Sequence, residues 1–87
     1  MDRWTEIENF VRIVENGGIG TAAERLNVAK SAVSRRLKEL ETRLGVKLIN
    51  RTTRRLSLTE TGRAYFERCQ RIMADLEEAD DAAVFQV

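Results

Sequence analysis

A chain of 87 residues, 43% of them hydrophobic, has room for one domain with one modest core. Its single cysteine and lack of histidine exclude an internal disulfide and a histidine–cysteine zinc site, and remove the commonest general base. We therefore predict that the chain is not an enzyme and needs no metal or cofactor. With no long apolar run and no signal-peptide pattern, we expect it in the cytoplasm, away from membranes.

The net charge of +1 hides a strong asymmetry along the chain. Residues 1–19 have a net charge of −2, residues 20–62 have ten cations and four anions, and residues 63–87 have a net charge of −3. The middle segment is therefore at +6 between two acidic ends. This pattern favours a phosphate-bearing partner over a general role of charge in solubility.

The first predicted helix lies near the N-terminus. Its apolar residues follow helical spacing, and Gly17 and Gly18 end the pattern; they are Trp4, Ile7, Phe10, Val11 and Val14. A ligand or partner contact is the alternative for Trp4, but an aromatic residue at the start of such a stripe favours packing.

Residues 21–41 predict two helices joined by a tight turn. Thr21 with Glu24 has the spacing of a capping box for a short helix that ends near Leu26. Asn27 follows where the chain must turn, and asparagine tolerates a positive φ. The arrangement is typical of a helix-turn-helix, although the spacing alone leaves an ordinary helical hairpin open.

The second helix of this pair has a buried stripe and an outward face. Val33, Leu37, Leu40 and Leu44 mark the stripe, and the opposite side is formed by hydroxyls and cations: Ser31, Arg35, Lys38 and Thr42. Such a face suits a DNA groove.

The start of the second helix breaks two local rules. Ala29 is a poor N-cap, and Lys30 places a cation against the positive end of the helix dipole. Such breaks are expected at functional sites, and we interpret Lys30 as functional.

Gly45 ends the second helix, and a hairpin is predicted after it. Apolar residues at 46–49 and 56–58 suggest two short strands around a tip containing Arg51, Arg54 and Arg55. We call residues 46–58 the wing. Its arginines would contact phosphates or an adjacent minor groove, and a solvated basic loop is the alternative.

A long helix is predicted from Thr59, its N-cap, to the end of the chain. Along one side of this helix, residues recur at alternating steps of four and three, and we call them the seam: Tyr65, Cys69, Ile72, Leu76, Ala79 and Ala83. We expect the seam to pair with the same helix of a second copy. For Cys69 itself, a buried small hydrophobic residue is favoured over a redox switch. The predicted architecture is mainly α: a winged helix-turn-helix of three helices and a two-stranded wing at 1–58, followed by a long dimerisation helix at 59–87.

With these elements in place, residues 10–62 resemble the N-terminal DNA-binding domain of LysR-type transcriptional regulators, and the long helix extends the likeness. The matching positions are Ala22, Ala23, Leu26, Val28, Ala32, Val33, Ser34, Arg35, Leu40, Glu41, Leu44, Gly45, Arg51, Leu58 and Thr59. The resemblance implies a homodimer on partly symmetric, double-stranded promoter sites.

The resemblance also implies which residues contact DNA. Base-facing positions correspond here to Lys30, Ser31, Ser34 and Arg35. We expect phosphate or minor-groove contacts from cations on the helix and wing and from one wing hydroxyl: Lys38, Arg43, Arg51, Thr53, Arg54 and Arg55.

This chain departs from the family at three positions. The family usually has serine or threonine at Ala29, often glutamine at Lys30 and commonly phenylalanine at Ile49. Two departures lie at the DNA-contacting end, so base preference does not transfer from relatives. A lysine there favours guanine or a phosphate over adenine.

Family members continue into an effector-binding domain that the 87 residues do not include, so a small-molecule effector would act only through a domain outside this chain. Whether the chain is a piece of a longer protein or a natural short form stays open. The alternative function is an interaction module that pairs with a full-length regulator and blocks its DNA binding.

Overall fold

The computed structural model describes residues 2–51 and 55–85. Within these ranges the order is α1 (Arg3–Glu15), α2 (Ile19–Leu26), α3 (Lys30–Leu44), β1 (Ile49–Asn50), β2 (Ser57–Leu58) and α4 (Glu60–Phe85). The predicted mainly α winged helix-turn-helix, followed by a long helix, is confirmed. The predictions for Thr53 and Arg54 lie outside the described residues.

The core lies where the first three helices meet. Nine buried residues form it, with none more than 6% exposed: Phe10, Ile13, Ala22, Ala23, Val33, Leu37, Leu40, Leu48 and Ile49. Helix α1 begins at an Asp2 cap, whose carboxylate accepts the Thr5 amide at 2.8 Å. Three residues of the predicted stripe of α3 are buried, Val33, Leu37 and Leu40, and Leu44 is half-buried, so the opposite side of the helix is left exposed.

The predicted capping box is wrong, because helix α2 begins at Ile19, two residues before Thr21. Its N-cap is Gly18, without a side-chain hydrogen bond, and Thr21 lies within the helix. The earlier start lets Ile19 pack against the core one turn before Ala22 and Ala23, and we attribute it to this burial. The turn that follows is as predicted, because Asn27 adopts the left-handed conformation with φ 56°.

The wing is a two-stranded antiparallel sheet, with Ile49 opposite Leu58 and Asn50 opposite Ser57. Its strands are shorter than predicted. Val46 is 38% exposed and its amide donates to the Glu41 carbonyl in the turn after α3. The Leu48 amide donates to the Glu41 carboxylate at 2.7 Å. Because the end of α3 takes up these donors, residues 46–48 do not join the sheet.

Helix α4 begins as predicted, because Thr59 accepts the Gly62 amide on its hydroxyl at 2.9 Å. Its first half packs on α1: the ring centroids of Phe10 and Tyr65 are 5.8 Å apart, and those of Phe10 and Phe66 are 6.3 Å apart. Trp4 is half-buried and lines a groove between the same two helices. No described helix is both long and apolar enough to span a membrane.

Candidate nucleic-acid interface

The outward side of α3 forms a continuous polar face. Lys30, Ser31, Arg35 and Lys38 are exposed, and Ser34 is half-buried beside them. The left-handed turn at Asn27 and the extended Ala29 place the start of α3 at the surface. The four residues predicted to face bases therefore share the first two turns of one accessible helix.

The N-terminus of α3 has no side-chain cap. Ala29 is the N-cap residue and makes no side-chain hydrogen bond. Helix termini leave their first amides for other acceptors, and phosphate oxygens are common partners there. With the Lys30 ammonium in the same turn, this end of the helix offers both backbone and side-chain donors to an anion.

Arg35 is free to change partners at low cost. Its Nε lies 3.8 Å from a Glu39 carboxylate oxygen, and the two side chains are 64% and 45% exposed. An exposed pair one turn apart on a helix contributes only about 0.3–0.5 kcal/mol. Arg35 can therefore leave Glu39 for a base edge.

Two of the predicted phosphate contacts, Arg43 and Arg51, already have close partners within the chain. Arg43 donates from Nε to Glu6 on α1 at 2.9 Å, and Arg51 donates from Nη2 to Glu41 at 2.9 Å. The hydrogen bond to Glu6 raises the pKa of the Arg43 guanidinium. Both arginines have structural roles, which the sequence analysis did not anticipate.

Glu41 was the main residue that the sequence analysis missed as a site component. It is 4% exposed in the last turn of α3. Burial alone would raise the pKa of its carboxyl, but hydrogen bonds from Leu48, Arg51 and Ile49 outweigh burial and lower the pKa. The sequence feature that could have revealed this role is the position of Glu41 directly after Leu40 of the apolar stripe, where an ionised group needs partners.

The structure brings the start of α3 close to the wing. Lys30, Arg51 and Arg55 line one open groove between the wing and the glycine turn that precedes α2. Two of these cations come from the wing and one from α3, so the groove joins the two predicted DNA-contacting elements. Their positive charges favour an anionic partner.

The predicted dimerisation seam divides into two parts. Ile72 is 49% exposed and Leu76 is 44% exposed, and Ala79 and Ala83 continue the exposed side. The prediction of Cys69 as a dimerisation residue requires correction, because Cys69 is only 1% exposed and faces the domain itself. Burial raises the pKa of its thiol. Tyr65 likewise packs on Phe10. The distal part of the seam is thus exposed, and Cys69 in the proximal part is covered by the domain.

The family assignment comes from comparison with known proteins. Residues 4–63 match the family described as bacterial regulatory helix-turn-helix protein, lysR family. The match covers both helices of the helix-turn-helix, the wing and the start of α4.

The chain belongs to the LysR family.

Named relatives support the assignment. The chain is 55% identical over 73 residues to an HTH-type transcriptional regulator of Xanthomonas campestris, covering 84% of this chain and 21% of the relative. The solved LysR-type regulator CrgA from Neisseria meningitidis shares 51% identity, with a TM-score of 0.79, over 92% of this chain and 27% of that one. These relatives are named as transcriptional regulators, and the matched family is described as one of bacterial regulatory proteins, as the sequence predicted.

A more distant structure agrees in fold. The BenM DNA-binding domain in a complex with its benA site 1 DNA has a TM-score of 0.90 at 24% identity, over 95% of this chain and 92% of that one. The LysR winged helix-turn-helix is thus retained at low sequence identity. The chain spans 21% of the length of the Xanthomonas campestris regulator and 25% of the length of CrgA from Neisseria meningitidis.

Proposed function

We propose that this LysR-family domain binds double-stranded DNA sequence-specifically as a homodimer and directs a transcriptional regulator to partly symmetric promoter sites. The observation that carries the proposal is the exposed polar face of α3, on which Lys30, Ser31 and Arg35 surround an uncapped helix N-terminus. The solved BenM complex, with the same fold, contains DNA. On this account the protein works in the cytoplasm, where the promoter is.

In the proposed complex the first two turns of α3 enter the major groove. Arg35 and Lys30 suit guanine, whose O6 and N7 accept from cationic side chains, and Ser31 and Ser34 add hydroxyls. Lys38 and the wing residues Arg51, Thr53, Arg54 and Arg55 are proposed to lie against phosphates or the adjacent minor groove. Arg43 would reach a phosphate only by sharing its guanidinium with Glu6.

The distal half of α4 is the proposed dimer surface. Residues 74–85 are all exposed, and α4, at 26 residues, is about 39 Å long. Ile72, Leu76, Ala79 and Ala83 lie at coiled-coil spacing on this exposed part. An antiparallel partner helix is favoured by charge, because the first half of α4 holds its cations and the second half is acidic: Arg63, Arg68 and Arg71, against Asp75, Glu77, Glu78, Asp80 and Asp81.

The proposal predicts strongly salt-dependent binding to duplex DNA. About six to eight phosphate contacts per subunit give a slope of log K against log salt of roughly −5 to −7. Because Arg43 and Arg51 are engaged by Glu6 and Glu41, we expect the shallower value, about −5 per subunit. Fluorescence anisotropy with labelled duplex at several salt concentrations measures the slope.

The salt series, combined with sedimentation of the protein alone, separates the alternative interaction module from the proposed function. Sedimentation gives the oligomeric state of the protein. A chain that dimerises but shows no salt-dependent binding to duplex favours the alternative, in which exposed Leu76 and Ile72 pair with a full-length regulator. A dimer that binds duplex with the expected slope supports DNA binding.

A further inference from the structure

We infer that Glu41 is a positioning residue that fixes the wing relative to the recognition helix α3, so that both elements contact one duplex together. The inference rests on the proposed DNA-binding function and adds to it a residue that does not itself contact DNA. Glu41 is 4% exposed, so its carboxylate is buried in the domain.

The Glu41 carboxylate connects α3 to the first strand of the wing. Oε2 accepts the amides of Leu48 at 2.7 Å and Ile49 at 3.3 Å, and Oε1 accepts Nη2 of Arg51 at 2.9 Å. All three donors belong to the stretch that leads from α3 into the wing. One side chain thus fixes the positions of three residues of that stretch, Leu48, Ile49 and Arg51.

The opposite side of the same stretch is attached to α4. The Thr59 hydroxyl donates to the Lys47 carbonyl at 2.7 Å, and the Thr59 amide donates to the Leu48 carbonyl at 3.0 Å. The start of the wing is therefore held by its amides to α3 and by its carbonyls to α4. Without the Glu41 carboxylate the wing keeps its attachment to α4, its core packing and the Val46 hydrogen bond to the Glu41 carbonyl, but it loses the side-chain hydrogen bonds that fix its orientation on α3.

A neutral side chain of the same shape cannot replace the carboxylate. The site presents donors to both oxygens, and ionised glutamate is an acceptor at each. In Glu41→Gln one acceptor becomes an NH2 donor that must face either the backbone amides or the Arg51 guanidinium. The substitution therefore breaks one side of the connection while it preserves the volume of the buried group.

The test is a double-mutant cycle on DNA affinity. Arg55→Ala removes a wing cation, and Lys38→Ala removes a cation from α3 as the matched control. We expect Arg55→Ala to weaken binding about five- to tenfold in the otherwise unmodified chain, but less than about twofold in Glu41→Gln. Lys38→Ala should cost the same factor in both backgrounds. A loss of folding alone would not produce this selective difference.

Arg51→Gln supplies an independent background if Glu41→Gln fails to fold, because it leaves the carboxylate bonded to both amides. Because these two amide bonds remain, we expect a partial loss of the Arg55 effect there, smaller than in Glu41→Gln, with the Lys38 effect retained. An Arg55→Ala penalty that is equal in all backgrounds, or absent in the unmodified chain, overturns the inference while duplex binding stands. Failure of the unmodified chain to bind duplex overturns the proposed function itself.

Discussion

Replacing Gly62 by alanine is expected to lower the free energy of unfolding by about 3 kcal/mol. Gly62 is buried in the first turn of α4, directly against the backbone of Leu48. A Cβ on Gly62 would lie 2.8 Å from the Leu48 carbonyl carbon and closer still to its oxygen. Leu48 cannot retreat, because its amide bonds to Glu41 and its carbonyl to Thr59.

Thermal unfolding followed by circular dichroism measures the effect. For a domain of this size we expect the midpoint to fall by roughly 12–24 °C. Gly20→Ala is the matched control: Gly20 lies within α2, and its Cβ would meet nothing within 4 Å. That substitution should raise stability by about 0.5–1 kcal/mol. An unchanged midpoint for Gly62→Ala would show that α4 does not pack this closely on Leu48.

Replacing Arg35 by alanine is expected to reduce discrimination between a specific site and random duplex by about 1–3 kcal/mol, or roughly five- to 150-fold. The reason is that Arg35 lies at 64% exposure on the outward side of α3, where it forms a 3.8 Å pair with Glu39. Its guanidinium can donate two hydrogen bonds to a single guanine. Removing it leaves random-sequence binding, which depends on phosphates, largely intact.

Lys38→Ala is the control for Arg35→Ala. Lys38 lies on the same exposed face nearly one turn later, where we propose a phosphate contact. It should weaken binding to all duplexes by a similar factor and reduce the salt slope by about one. Competition binding with specific and random duplexes measures both variants. Equal losses on the two duplexes for Arg35→Ala would remove its assigned role at a base.

Local patterns predicted most of the fold. The apolar stripe from Val33 to Leu44 predicted the orientation of α3, because helical periodicity alone determines which side is apolar. Asn27, Gly45 and Thr59 marked turns or caps through their own backbone and side-chain preferences, and each lies where expected. These features depend on residues within one helical turn of each other.

Features that depend on distant contacts were not predictable in the same way. The heptad seam showed that Cys69 and Leu76 share a side of α4, but not that the domain itself covers Cys69 and leaves Leu76 at 44% exposure. The position of Glu41 was visible, but its partners lie seven to ten residues later in a segment whose path the sequence does not determine. The same applies to the bond of Arg43 to Glu6, which joins α3 to α1.

Selection of bound sequences from a randomised duplex library tests the central claim most directly. The account predicts enrichment of one partly symmetric site, with two half-sites spaced about one helical turn or a multiple of it apart. Arg35→Ala, selected in parallel, should enrich a more degenerate site. If the unmodified chain binds the library and enriches no sequence, α3 does not specify bases and the account is contradicted.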